Sequence, residues 1–188
     1  MKTLIVNGST RKGGDTETLV SELMRHLDGE IKLLTHKSAI APCSDCRHCW
    51  TKEGCAMQDE MQEVYAFLRN CDNVVLASPI WFSSLSGPML NIASRIQMLY
   101  ATNAFRNIPF TMTPKNGVAI LTGGEPSTAA NPKQTILTIM KFMGVRRPIA
   151  AEVCSLLTND IPAKSDTQAL TDAREAALLL NRLYQDKH

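Results

Sequence analysis

The chain has 188 residues, 44% of them hydrophobic, with 20 Lys and Arg against 18 Asp and Glu for a formal charge of +2. At ~100–200 residues per domain this is the length of one domain, and the hydrophobic content excludes a disordered or collagen-like chain. The near-balanced charge argues against a nucleic-acid binder, which needs clustered cations, and no apolar run reaches the ~20 residues that cross a bilayer.

The start, residues 1–8, turns polar too soon for a signal peptide, so a cytoplasmic, reducing compartment is expected. Residues 3–6 (TLIV) form a strand that stops at Asn7-Gly8. From Asp15 onward Leu19, Val20, Leu23, Met24 and Leu27 recur at helical spacing, with Gly29 placed as a C-cap glycine. Residues 31–34 are a second strand. Asp59-Glu60-Met61-Gln62 has the form of a capping box and leads a helix carrying Val64, Tyr65 and Leu68. Residues 73–77 (NVVLA) are a third strand, ended by Ser78-Pro79. Gly87-Pro88 opens one helix through Ile92, Ala93, Ile96, Leu99 and Tyr100. Residues 117–121 are a fourth strand closed by Thr122-Gly123-Gly124. Asn131-Pro132 starts a helix that stops at Gly144, and 149–154 is a fifth strand. Ser165-Asp166-Thr167-Gln168, a second capping box, opens a last helix with Leu170, Ala173, Ala177 and Leu180 inward.

Alternating strands and helices without repeat or linker predict a single α/β domain over 1–188. The sheet is expected to be parallel, doubly wound and five-stranded, in the order 2-1-3-4-5, with helices on both faces. Ligands in such a sheet sit beyond the carboxyl ends of the strands, where the strand order switches. The loops after strands one, three and four are therefore the candidates for chemistry.

The first of these is rich in hydroxyls and glycine. Ser9, Thr10 and Thr16 offer hydroxyls, Arg11 a guanidinium, and Gly8, Gly13 and Gly14 a backbone that curls its amides inward ahead of a helix N-terminus. That combination suits a monophosphate. It is neither a Walker A loop nor GxGxxG, and Asp15 is expected to cap the helix rather than meet the ligand. After strand three, Pro79, Ile80, Trp81, Phe82 and Ser83 place flat apolar side chains beside backbone amides, a surface for a planar heterocycle. After strand four, Thr122, Gly123 and Gly124 let a backbone approach a ring edge.

A monophosphate cradle and a flat-ring pocket on one sheet edge point to flavin mononucleotide. Gly8-Ser9-Thr10-Arg11 with Thr16 resembles the Gly-Ser-x-Arg-x-x-x-x-Thr phosphate signature of the NAD(P)H-dependent FMN reductase and iron–sulfur flavoprotein family, within the flavodoxin-like superfamily. Residues 78–87 (SPIWFSSLSG) resemble that family's isoalloxazine loop, with Trp81 where Tyr is usual and Ser83 where Gly is usual. Further along, Leu90 and Ser94 replace a Lys and an Asp of many relatives. The resemblance implies bound FMN, reduction by NAD(P)H, electron delivery to a small-molecule acceptor, and a homodimer or homotetramer.

Six cysteines are present, four of them within residues 43–55. In a reducing compartment such density means metal binding or redox chemistry rather than a disulfide framework. Cys43, Cys46, Cys49 and Cys55 occupy a cysteine-rich loop at 41–57 after strand two, on the ligand side of the sheet. Their spacing resembles the compact motif of iron–sulfur flavoproteins, which implies that all four thiolates ligate one [4Fe–4S] cluster. Tetrahedral zinc and free redox-active thiols stay open. Cys71 and Cys154 are expected to be small buried hydrophobes. The function expected is an FMN-dependent oxidoreductase. A non-enzymatic electron carrier like flavodoxin is the alternative, and the +2 charge lacks that class's acidic face.

Overall fold

The structure, a computed structural model, describes residues 1–108 and 112–187. In chain order the strands are β1 (Lys2–Asn7), β2 (Glu30–Leu34), β3 (Asn73–Trp81), β4 (Ser84–Leu85), β5 (Asn116–Thr122) and β6 (Ala151–Ser155). The α-helices are α1 (Asp15–His26), α2 (His48–Thr51), α3 (Met61–Asn70), α4 (Gly87–Ser94), α5 (Gln97–Arg106), α6 (Ala130–Phe142) and α7 (Thr167–Gln185). None of the described helices is long and apolar enough to cross a membrane.

The architecture is α/β with a parallel sheet, and two details of the expectation are corrected. Six strands, not five, are found among the described residues, and the path is β2-β1-β3-β5-β6 rather than 2-1-3-4-5. The added strand is β4, which pairs antiparallel with the end of β3 (Ile80 with Leu85, Trp81 with Ser84). Strand β3 also runs past Ser78-Pro79. Its pairing with β1 stops at Ala77, while β5 continues alongside as far as Pro79. A proline, lacking an N–H, is tolerated where one flank of the strand has no ladder to feed.

Strands β1, β3 and β5 are almost wholly buried because both faces of the sheet are covered. One face packs Leu4, Val6, Val74 and Leu76 with Val64, Leu68, Ile92, Leu99 and Ile136 from α3 to α6. The other packs Ile5, Val75, Val118 and Ile120 with Leu19, Leu23, Ala173, Ala177 and Leu180 of α1 and α7. At the amino end of the sheet, Asn116 Nδ2 donates to Asn73 Oδ1 (3.1 Å) and Asn73 Nδ2 to Thr3 Oγ1 (3.0 Å). This polar ladder sits inside the core and fixes the register of three strands, since a slip would leave buried amides unpaired.

The helix ends differ from the sequence reading. Helix α1 is capped by Gly14, Asp166 rather than Ser165 caps α7 through Ala169 N (3.0 Å), and Ser86 caps α4. The expected single helix from Gly87 is two helices, broken at Arg95-Ile96. At that break the phenol of Tyr65 donates to the Arg95 carbonyl at 2.7 Å in a buried site, and burial pushes the Tyr65 pKa well up. Replacing Tyr65 with Phe removes this bond and leaves the Arg95 carbonyl only the longer one from Met98 N (3.3 Å). The expected loss is about 1–2 kcal/mol, read as a lower midpoint in urea; an unchanged midpoint would show that this bond does not hold the break.

Candidate functional site

Strand order switches between β1 and β3, and at their carboxyl ends the structure opens a cleft of about 380 Å³. Its wall includes Ser9, Thr10, Arg11, Gly14, Asp15 and Thr16 from the β1–α1 turn, and Pro79, Ile80 and Trp81 from β3. Thr122, Gly123 and Gly124 after β5 complete it with Thr158 and Asn159 after β6. The three loops singled out in the sequence thus share one cavity. Gly13, Phe82 and Ser83 lie outside its lining: Gly13 turns the loop at φ 64°, and Phe82 and Ser83 form the tip of the β3–β4 hairpin.

The cradle is built by hydrogen bonds that stop β1 and start α1. Ser9 N donates to Asn7 Oδ1 (3.0 Å), Gly8 N to Ala77 O (2.8 Å), and Ser86 Oγ to Gly8 O (2.8 Å). His36, at the end of β2, places Nδ1 3.0 Å from the Ser9 carbonyl. The first amides of α1 have no intrahelical partner and carry the positive end of the helix dipole. Asp15 does not cap α1, yet its charge is occupied. One oxygen accepts from Arg11 Nη2 (2.6 Å) and the other from Ala163 N (2.9 Å). Glu17 accepts from Gly13 N on the outside of the turn. Thr16, almost fully buried, bonds through its hydroxyl to that of Thr122 (2.7 Å) and ties the first loop to the loop after β5.

Besides the cradle, the cleft is walled by Pro79, Ile80 and Trp81, the Gly123-Gly124 backbone, and the polar side chains of Thr158 and Asn159. Trp81 is 47% exposed and Phe82 fully exposed. Gly124 faces the Asn159 amide so closely that any side chain would collide with it. Sequence reasoning missed Thr158 and Asn159, although their position just beyond the fifth parallel strand, on the same rim, was a usable signal. It also missed Ser86, whose signal was its place before Gly87-Pro88.

The four loop cysteines line a second, smaller pocket together with Arg47, His48, Trp50, Arg95 and Met98. Its loop is pinned at several points. Ala39 N donates to Glu60 Oε2 (2.9 Å), Ala41 N to Asp59 Oδ2 (3.3 Å), and Cys43 N to Ser94 Oγ (2.9 Å). Gln62 Nε2 donates to the carbonyls of Cys55 (3.2 Å) and Met57 (2.6 Å) instead of reaching back to close a capping box. Asp59 accepts from Met61 N (3.1 Å) and pairs with Arg95, whose hydrogen bond holds its carboxyl below the usual range. Trp50 stacks on Phe105 with centroids 3.9 Å apart, fastening α2 to α5.

All four thiols are free, Cys43 and Cys46 exposed, Cys49 and Cys55 half-buried. Burial pushes the Cys49 thiol up, and the sulfurs of Cys55, Cys43 and Cys46 act in the same direction. Among the described residues no three His, Cys, Asp or Glu side chains are grouped to hold a metal ion. A single zinc ion needs its sulfurs gathered at ~2.3 Å from one point, whereas a [4Fe–4S] cluster takes its four thiolates on four separate irons. Cys71 is buried, and burial raises its pKa to about 11; Cys154 is half-buried.

Residues 1–153 match the family model described as NADPH-dependent FMN reductase, and the chain belongs to that family. An iron–sulfur flavoprotein of Methanosarcina thermophila is 24% identical over 186 residues, covering 94% of this chain and 92% of that protein. A Bacillus subtilis (strain 168) protein named as an NAD(P)H-dependent FMN-containing oxidoreductase, YwqN, is 28% identical over 153 residues, covering 77% and 80%. Among solved structures, an NAD(P)H:quinone oxidoreductase of Methanothermobacter marburgensis superposes with a TM-score of 0.64 at 11% identity, over 94% of this chain and 95% of that one. The chain is therefore an oxidoreductase of a flavodoxin-like fold.

The hairpin tip carries a cost. Phe82 (φ 51°) and Ser83 (φ 55°) both hold the left-handed conformation, which costs an L-residue roughly 1–2 kcal/mol. Ser83→Gly is expected to stabilise the protein by about 0.5–1 kcal/mol after glycine's greater entropy loss is counted. Thermal unfolding checks this, and a lowered Tm would show that the serine side chain compensates the strain.

Proposed function

We propose that the cleft holds FMN with its phosphate at the β1–α1 turn and its ring against Ile80 and Trp81, and that NAD(P)H reduces it for delivery to a small acceptor. One observation carries this reading: hydroxyls, a guanidinium and a helix N-terminus converge on a cleft that is also walled by Ile80, Trp81 and the bare Gly123-Gly124 backbone. Its volume of about 380 Å³ lies within the usual range for cofactor sites. The backbone cradle fits a phosphate, and the bare Gly123-Gly124 edge fits the rim of a planar ring. FMN bound there supplies the two-electron chemistry, and the protein binds, orients and tunes it.

Each residue then has a task. Ser9 and Thr10 donate hydroxyl hydrogen bonds to the phosphate, and the α1 amides add theirs. Arg11, mostly exposed and held by Asp15, neutralises the phosphate charge from the solvent side. Thr16 and Thr122 lock the two loops at one spacing. Asn159, across from Gly124, offers an amide to a polar ring edge. The exposed faces of Trp81 and Phe82 leave room for a second planar group, as a nicotinamide requires.

We assign the thiol pocket to a [4Fe–4S] cluster held by Cys43, Cys46, Cys49 and Cys55. Four thiols on one small pocket are the donor chemistry such a cluster takes, and a relative of this chain is named an iron–sulfur flavoprotein. The two sites are joined by α4. Ser86, at its start, bonds the Gly8 carbonyl, and Ser94, at its end, holds Cys43 N. At ~1.5 Å per residue, the eight residues of α4 separate these two contacts by roughly 12 Å along the helix axis. The exposed Leu90, Tyr100 and Phe105 on α4 and α5 are the apolar surface we assign to a homodimer or homotetramer.

The test is FMN titration of apoprotein. Arg11→Ala is expected to weaken binding about tenfold, a single exposed charge-assisted hydrogen bond being worth ~1–1.5 kcal/mol. Gly124→Val should weaken it more by filling the ring edge. Unchanged affinity in both variants would remove FMN from this cleft.

A further inference from the structure

Among the described residues, Arg95 Nε is the one buried side-chain nitrogen or oxygen without a hydrogen-bond partner. The Arg95 side chain is 0% exposed. A guanidinium presents five N–H donors in a rigid plane, and four are used. Nη1 donates to Ala41 O (2.9 Å) and Asp59 Oδ2 (2.5 Å), while Nη2 donates to Asp59 Oδ1 (3.1 Å) and Cys55 Sγ (3.5 Å). Nε is buried without a partner.

The distribution over the plane matters. The edge formed by the two terminal nitrogens is filled by the Asp59 carboxylate. The other edge, where Nε–H and the outer Nη2–H point the same way, is a second two-pronged donor site. Only one of its prongs is used, by the sulfur of Cys55. A buried N–H without an acceptor is costly to the folded state, and this one sits beside the thiol pocket that Arg95 itself lines. A guanidinium edge calls for an acceptor with two sites or two adjacent anionic atoms. The prong left free lies beside the one that holds the Cys55 sulfur.

We infer that Arg95 is the positioning residue of the thiol pocket: Nη2–H orients the Cys55 sulfur, and Nε–H is completed by a sulfur of the iron–sulfur group that the four cysteines hold. The inference rests on reading the pocket as a cluster site. Asp59 neutralises the guanidinium, so what Arg95 brings is directed donors rather than net charge. Hydrogen bonds to cluster sulfurs stabilise the more reduced state and raise the potential. The same side chain ties the pocket to the chain entering it through Ala41 O, and to the α4–α5 break through its own backbone.

The experiment uses the full chain, loaded with FMN and reconstituted anaerobically with ferrous iron and sulfide. Wild type is expected to take up about four iron per chain. Arg95→Lys keeps the positive charge but has no fork. Its cluster should be stripped by a chelator at least about tenfold faster, as is usual for losing a partner of a metal ligand, and its potential should be more negative. Thr135→Ala, exposed on α6 and part of neither site, should leave lifetime and potential unchanged. FMN affinity and far-UV circular dichroism report folding. If Arg95→Lys does not fold, the wild-type cluster is reduced in protein grown on 15N-arginine in an Arg47→Lys background. Pulsed EPR should then show a coupled arginine nitrogen, and its absence overturns the inference. A wild type that binds no iron or sulfide overturns the cluster reading and this inference with it. A loaded Arg95→Lys protein with wild-type potential and lifetime overturns the inference alone.

Discussion

The turn from β1 into α1 is the constraint on which the rest of the site depends. It must end a buried central strand and start a helix within a few residues, without leaving any backbone group stranded in the core, and on the proposed reading its unpaired amides also meet the ligand. The chain meets that demand with partners drawn from four other elements. Ala77 of β3 takes the Gly8 amide, Ser86 takes the Gly8 carbonyl, His36 reaches the Ser9 carbonyl, and Thr122 binds the hydroxyl of Thr16. The cradle is consequently fixed by the sheet beneath it and needs little rearrangement to accept an anion. Such pre-organisation lowers the ordering cost of binding.

The thiol pocket follows a different logic. Its loop has almost no regular structure and is held by side chains from outside it: Asp59, Glu60 and Gln62 before and within α3, Ser94 and Arg95 at the end of α4, and Phe105 on α5. A loop fixed in this way has its cysteines positioned by α3, α4 and α5, and α4 also carries the Ser86 contact with the cradle. Any change that shifts α4 would therefore be felt at both sites. This coupling is a consequence of placing one short helix between two locks.

The alternation of strands and helices was legible because buried parallel strands read as apolar runs that end in Gly, Ser or Asn. The rim loops were legible for the same reason: Ser9, Trp81 and Gly124 are far apart in sequence, but each lies within a few residues of the end of such a run. What escaped detection depended on distant pairs. The α4–α5 break is invisible in the periodicity, since Ile92, Ile96 and Leu99 keep helical spacing across it. The side chain that meets the backbone there is a tyrosine thirty residues away. Asp59 reads locally as a capping residue, and only the fold brings it to Arg95, 36 residues on. Strand β4 was hidden because two residues of hairpin after Phe82-Ser83 carry no pattern of their own, and neither residue is the glycine or asparagine that left-handed turns favour.

The central claim, that the β1–α1 turn grips the phosphate of the flavin, is tested most directly by comparing two ligands that differ in that group alone. Apoprotein should bind FMN at least about a hundredfold more tightly than riboflavin, in keeping with two or more charge-assisted hydrogen bonds to the phosphate. Equal affinity for the two would mean that the turn is an ordinary strand-to-helix connection and that any flavin is held elsewhere.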